Sequence, residues 1–290
     1  MTSTNISETL VLGAVAYDPK TVTIWEGFKA YFTRQGLPFD FILYSNYERL
    51  VEDLISGHIH AAWNSPLAYV RAARMARAVG KTVEVLALRD SDCDLHSVII
   101  VKADSPIKTA ADLKGRVIAV GAIDSPQATL IPLEYLRTQG LQAGKDFTVQ
   151  RHDLLGGKHG DHIGGEREGA KAVVQGKADA ACIIESNYAG FIADGTLPKG
   201  AARILTLTMP YDHCNLTAGP FAPKDLIARF KSIVMNMSYE DPAIKPLFDL
   251  EGLKEWRQPR VEGYRTLDTA VEDFGFYKAE GAITAVDYHF

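Results

Sequence analysis

Short apolar runs of strand length alternate with helical patterns along most of the chain. Residues 10–37, LVLGAVAYDPKTVTIWEGFKAYFTRQGL, begin with an apolar run over 10–16. They continue through Asp18-Pro19 into a helical pattern that stops at Gly36, a residue suited to the left-handed position past a helix end. Residues 116–141, RVIAVGAIDSPQATLIPLEYLRTQGL, repeat the design with Asp124, Pro126 and Gly140. A second pair follows in the same order. LISGHIHAAWNSPLAYV (54–70) and VVQGKADAACIIESNYAGF (173–191) each close a helix with Gly, turn, and enter a small-residue strand through Ala-Ala. Polar residues then lead into another helix.

Each half therefore reads strand–helix–strand–helix–strand, and predicts a mainly parallel sheet flanked by helices. The expected architecture is α/β with two lobes. Lobe 1 is residues 1–97 plus 208–290, and lobe 2 is residues 98–207, inserted by two hinge crossings. HSVIIVKADSP (96–106) and ARILTLTMP (202–210) read as the linking strands, and the segment from about Ala222 reads as helices packing on lobe 1. In such sheets ligands sit at the carboxyl ends of the strands, where helix N-termini offer free N–H groups. The expected site is a cleft, with the Asp18 and Asn64–Ser65 loops opposite the Asp124–Ser125 and Glu185–Ser186 loops.

Composition narrows the function classes. The chain has 290 residues and a net charge of −5, which gives no basic stripe for nucleic acid. No apolar run is long enough to predict a membrane insertion. The start, MTSTNISETLVLGAVAYD, lacks the basic and apolar regions of a secretory leader. The expectation is a cytoplasmic location as the sequence stands, or a periplasmic one if a leader has been removed. Three cysteines without CxxC spacing suggest neither a disulfide framework nor a zinc finger.

SPIKTAADLKGRVIAVG (105–121), the serine-bearing loop after it, Gly176-Lys177-Ala178-Asp179-Ala180-Ala181 and the late GYRTLDTAVEDFGFY (263–277) resemble the phosphonate/phosphite branch of ABC-transporter substrate-binding proteins. The resemblance spans essentially the whole chain. It implies the type II periplasmic-binding-protein fold, hinge closure on a small polar ligand, and a permease as partner; no cofactor is implied. The family's Ser-Thr-Ser-Gly anion clamp corresponds to Ser125-Pro126-Gln127-Ala128, which keeps only the first hydroxyl. Its Gly-Gly-His or Gly-Ser-His corresponds to a segment whose His position is Glu166, and its acidic residue after the second-lobe strand corresponds to Glu185. A carboxylate in the clamp would repel a phosphonate, so the scaffold is expected without phosphonate as the ligand.

The candidate ligand-binding residues are Tyr17, Asp18, Tyr47, Asn64, Ser65 and Tyr69 in the first half. In the second half they are Asp124, Ser125, Gln127, Thr129, His162, Glu166, Glu185 and Asn187. Several have a plain structural alternative: Ser65, Asp124 and Ser125 suit helix N-caps, and Tyr47 and Tyr69 suit a core. RHDLLGGKHGDHIGGER (151–167) packs histidines and carboxylates among glycines. His159, His162 and Glu166 could ligate a metal, sit on a solvated loop, or belong to a loop folding over ligand. No metal site is assigned, and the ligand-loop reading is taken forward with Glu166 as its first candidate. DSDCDLHS (90–97) and YDHCN (211–215) read as polar hinge residues. No Gly-x-Ser-x-Gly, HExxH or phosphate loop occurs. The alternative function is a cytoplasmic lyase, isomerase or decarboxylase on the same fold, using His159 or His162 with Glu166 or Glu185.

Overall fold

A computed structural model describes residues 9–161 and 163–290. Among them the strands, numbered in chain order, are β1 (Leu10–Val15), β2 (Phe39–Tyr44), β3 (Ala61–Asn64), β4 (Glu84–Arg89), β5 (Ser97–Lys102), β6 (Val117–Val120), β7 (Thr148–Arg151), β8 (Ala180–Ile184), β9 (Ala202–Leu207), β10 (Asn215–Ala218) and β11 (Trp256–Arg257). The α-helices are α1 (Lys20–Arg34), α2 (Tyr47–Ser56), α3 (Pro66–Ala78), α4 (Ile131–Thr138), α5 (Gly164–Val174), α6 (Glu185–Ala193), α7 (Lys224–Met235), α8 (Lys245–Glu251) and α9 (Arg265–Asp273). They form two compact units. Of the described residues, the first holds those from 9 to 93, Cys214–Glu262 and Ala279–Gly281; the second holds those from 94 to 213, Gly263–Lys278 and Ala282–Phe290.

The first unit is built on a sheet of order β11-β4-β10-β3-β1-β2. Strands β1, β2 and β3 are parallel, while β10 runs antiparallel between β3 and β4. Helix α1 forms because Ile24, Trp25, Phe28, Tyr31 and Phe32 recur on one face, and all are buried. That face meets Phe39, Phe230 and Phe248 in one aromatic-rich core, with Phe32 stacked on Phe39 at 4.6 Å between ring centroids. On the other side of the sheet, α2 and α3 pack Leu50, Val51, Leu54, Ala68 and Ala72 against Val15 and Ala62.

The second unit has the sheet order β7-β6-β8-β5-β9, with β6 parallel to both β7 and β8 and with β5 antiparallel to β8 and β9. The sequence echo is thus a topological one. β1 and β6 hold the same place, as do β3 and β8, and in each sheet an antiparallel strand lies beyond the third parallel one. The half-by-half reading did not include that strand. β10 reaches the first sheet from residue 215, far along the chain from its partners β3 and β4.

The unit boundaries differ from the expected lobes in two ways. Leu95 and Tyr211 exchange backbone hydrogen bonds of 2.8 and 2.9 Å, which fastens the flanks of β5 and β9 to the second unit. Residues 263–278 and 282–290 also belong to the second unit, whereas the reading of 208–290 placed them with the first. The cause is local packing. Phe274 lies against the core cluster that contains Leu133 and Leu136 of α4, and Arg137 pairs with Asp273 at 2.6 Å. Helices α7 and α8 do pack in the first unit, through Ile227, Phe230, Val234, Leu247 and Phe248.

All three tryptophans, Trp25, Trp63 and Trp256, lie in the first unit, so tryptophan fluorescence reports on that unit. Phe230→Ala opens the aromatic core beside Phe32 and should cost about 3–5 kcal/mol. Urea unfolding followed by tryptophan fluorescence should show a markedly lower midpoint; an unshifted midpoint would mean that this core does not hold the first unit together.

Candidate functional site

The polar residues singled out by the sequence gather at the carboxyl ends of the parallel strands of their own unit. In the first unit, Tyr17 and Asp18 follow β1, Tyr47 opens α2 after β2, and Asn64 ends β3. Ser65 caps α3, its Oγ accepting from the Ala68 N–H at 3.1 Å, and Tyr69 sits one turn further on. Asn46 caps α2 in the same way through the Arg49 N–H at 2.9 Å. Exposure separates these residues. Asp18 is exposed, Tyr17 and Tyr69 are half-buried, and Tyr47 and Ser65 are buried. Tyr44 donates its hydroxyl to Asp53 Oδ2 at 2.7 Å, and burial, then that carboxylate, push its ionisation far above the usual range.

Asn64 stands apart. Its side chain is fully buried, and among the described residues neither its amide nitrogen nor its amide oxygen has a hydrogen-bonding partner. A buried polar group in that condition costs roughly 1–3 kcal/mol, which a fold retains only for a reason.

In the second unit the residues after β6, β7 and β8 are tied to one another. The turn after β6 begins at Ser125, whose Oγ accepts from the Ala128 N–H at 3.2 Å, with Pro126 at the first helical position. That turn is widened, because the Leu130 N–H reaches back to the Ser125 carbonyl, and such insertions are frequent at functional sites. Thr129 donates its hydroxyl to the Ala122 carbonyl at 2.8 Å. Asp124 is fully buried, and its Oδ2 accepts from the backbone N–H groups of Gly157 (2.7 Å) and His159 (3.1 Å) and from the Tyr288 hydroxyl (3.4 Å). The segment after β7 is therefore folded back onto the turn after β6.

Gln127 links the two. Its Nε2 donates to the Gly160 carbonyl at 2.7 Å and lies 3.3 Å from Glu166 Oε1, while its Oε1 lies 3.4 Å from His213 Nε2. Gly160 has φ +72°, and a Cβ there would collide with Ser125 and sit 2.8 Å from Gln127 Nε2. Only glycine allows this approach. Behind Gln127, Ser97 Oγ donates to its backbone carbonyl at 2.5 Å and meets the Tyr211 hydroxyl at 3.0 Å.

Glu166 differs most from its expected setting. It was expected at a helix start facing ligand, and it does lie in the first turn of α5, but it is 3% exposed. Its Oε2 accepts from the Ile184 N–H at 2.8 Å and from Asn187 Nδ2 at 2.9 Å, and its Oε1 faces Gln127. Burial raises its ionisation above the ordinary carboxylate value, while Asn187, Ile184, Gln127 and the nearby His213 pull it back down. Glu185, by contrast, is exposed at the first position of α6. Cys182, behind Glu166, has its thiol pushed up to about 12 by burial first and the Glu166 charge second, so it stays protonated.

His162 lies outside the described residues. His159, its companion in the histidine cluster, is fully buried with φ +51°. Both Glu166 oxygens are already engaged by nitrogen donors. The sequence reading missed Ser97, Tyr211, Ile184, Gly160 and Tyr288. Of these, Ser97, Gly160 and Tyr211 lay in segments that had drawn attention, DSDCDLHS, RHDLLGGKHGDHIGGER and YDHCN. His213 in the last segment was taken for a hinge residue; it is buried beside Gln127.

Two α/β units with polar residues massed at the carboxyl ends of parallel strands define a solute-binding architecture. Residues 14–264 match the family described as ABC transporter, phosphonate, periplasmic substrate-binding protein, and the chain belongs to that family. Solved structures agree on the fold. PhnD1 from Prochlorococcus marinus (MIT 9301), in complex with methylphosphonate, is 17% identical with a TM-score of 0.68, covering 93% of this chain and 99% of its own. XAC2383 from Xanthomonas citri, bound to chloride ion, is 15% identical with a TM-score of 0.71 over 91% and 98%. The periplasmic aliphatic sulphonate binding protein SsuA from Escherichia coli is 19% identical with a TM-score of 0.58 over 92% of each chain. The chain is thus a substrate-binding protein of the phosphonate ABC transporter family. The family implies a small ligand and a permease partner. Among the described residues no helix is long and apolar enough to cross a membrane.

A pH dependence follows from Glu166. Its folded-state value is raised, so its contribution to stability is fully present below the ordinary value of 4.5 and is lost as pH rises through the raised one. The wild-type protein should therefore lose stability relative to Glu166→Gln as pH rises through that window, read from circular-dichroism urea melts at stepped pH. A wild-type-minus-variant difference that stays flat with pH would show that Glu166 is not held at a raised value.

Proposed function

We propose that the chain captures a small polar ligand that carries an amine or several hydroxyls, and that a bare phosphonate is not its preferred cargo. The observation that carries the reading is Asn64. A fully buried amide without partners at the end of a central strand supplies one acceptor and two donors at the place where ligands of such sheets are held. A hydroxyl can use both kinds of group and an ammonium can use the acceptor, whereas a fully ionised phosphonate offers no donor for it.

Charge supports the same reading. Asp18 in the first unit and Glu185 in the second are exposed carboxylates following β1 and β8. A like charge about 4 Å away at an effective dielectric of about 20 costs about 4 kcal/mol, a strong bias against a dianion. In the second unit, the residue that stands in the family's His position, Glu166, already occupies the nearby nitrogen donors. Tyr17, Tyr47, Ser65 and Tyr69 complete the proposed contacts in the first unit, and Asp124, Ser125, Gln127, Thr129, His162 and Asn187 those in the second. Capture proceeds in this reading by hinge closure, the ligand favouring the closed form through its differential contacts. The closed form is what the permease recognises, and the working location is the periplasm.

The test is a thermal-shift and fluorescence titration with amines, amino acids, polyols, methylphosphonate and an aliphatic sulfonate. A stabilising amine or polyol is expected, with about 2.7 kcal/mol of stabilisation at a hundredfold excess over Kd. Asn64→Ala should weaken that ligand by about tenfold or more while leaving the ligand-free melting temperature unchanged or raised, because a buried unsatisfied group has been removed. Strong stabilisation by methylphosphonate, with no response to amines or polyols, would overturn the reading.

A further inference from the structure

We propose that Gln127, Ile184 and Asn187 form an oxyanion site that the chain fills with its own Glu166, making Glu166 the residue that shuts external anions out of the second unit. Three nitrogen donors from two places in the sequence converge on this one carboxylate. The Ile184 N–H lies 2.8 Å and Asn187 Nδ2 2.9 Å from one oxygen, and Gln127 Nε2 lies 3.3 Å from the other. Ile184 and Asn187 belong to the N-terminal turn of α6, where free N–H groups and the helix dipole favour negative charge. Gln127 comes from the turn after β6. The carboxylate they hold is almost completely removed from solvent.

The backbone is shaped to deliver Glu166 there. The preceding Gly165 runs so close to the strand ends that a Cβ on it would stand 2.8 Å from the His152 carbonyl oxygen and 3.2 Å from the Gly121 Cα. Gly160 then covers the other side of Gln127 and accepts its remaining amide hydrogen at 2.7 Å. A tethered carboxylate has a high effective concentration at its donors, so a free anion of similar strength competes poorly with it. The occupant is covalently part of the chain. This inference concerns an internal site and is tested with acetate, without the transported ligand.

Removing the occupant should reopen the site. Glu166→Ala deletes a CH2–COO group, which acetate matches in size and shape. In full-length Glu166→Ala protein near neutral pH, sodium acetate should raise the melting temperature in a saturable way by about 2 °C or more, the size of a shift of about 1 kcal/mol. Sodium chloride at the same ionic strength should not. Wild type and the isosteric Glu166→Gln should show no acetate-specific shift, and Asn187→Ala combined with Glu166→Ala should weaken the acetate response by about tenfold. If Glu166→Ala is recovered unfolded, refolding yield from urea in acetate against chloride is the readout, with acetate expected to be better. Equal behaviour of acetate and chloride in both assays would overturn the proposal. A ligand screen that fails leaves this result untouched, so the two readings fail separately.

Discussion

A carboxylate taken out of water must be met by hydrogen-bond donors, and in the second unit this constraint organises everything at the carboxyl ends of the strands. Asp124 and Glu166 are both buried. Asp124 draws in the N–H groups of Gly157 and His159, which folds the segment after β7 back onto the turn after β6. Glu166 draws in α6 through Ile184 and Asn187. Loop, turn and helix are therefore placed by two buried carboxyl groups rather than by an apolar core of their own. The glycines at 160 and 165 are the steric condition for that arrangement.

The first unit uses the same sheet topology with a different chemical emphasis. Its core is an aromatic layer around Phe32, Phe39 and Phe230, and its polar edge carries caps, tyrosines and a buried amide at Asn64. One strand-and-helix plan has been specialised twice. Membership of the phosphonate substrate-binding family accounts for the plan and for the role in transport. Side chains at the strand ends set the two units apart, with Ser125, Gln127 and Glu166 in the second and the Asn64 amide in the first.

Much of this was legible in the sequence, and the physical reasons are specific. β1–α1 and the strand-to-helix unit at β6 could be read from apolar period, proline position and the glycine past the helix end, all local signals. Ser65 and Ser125 could be read as caps because a cap acts within three residues. The antiparallel insertion of β10 could not, since strand pairing across such a separation leaves no local mark. Nor could the destination of α9. Its amphipathic pattern around Leu267, Ala270 and Val271 announces a buried face without saying which core receives it. Glu166 was singled out for its residue type and its place after two glycines. Its engagement by Ile184, Asn187 and Gln127 depended on contacts from elsewhere in the chain. Tyr288, near the end of the chain, carried no signal that it would reach Asp124.

Native mass spectrometry of gently purified protein, before and after mild denaturation, tests the central claim about the cargo most directly. The account predicts release of a small polar organic molecule bearing an amine or several hydroxyls. Release of a simple alkylphosphonate as the resident ligand would contradict it, because the Gln127–Ile184–Asn187 donors are already occupied by Glu166.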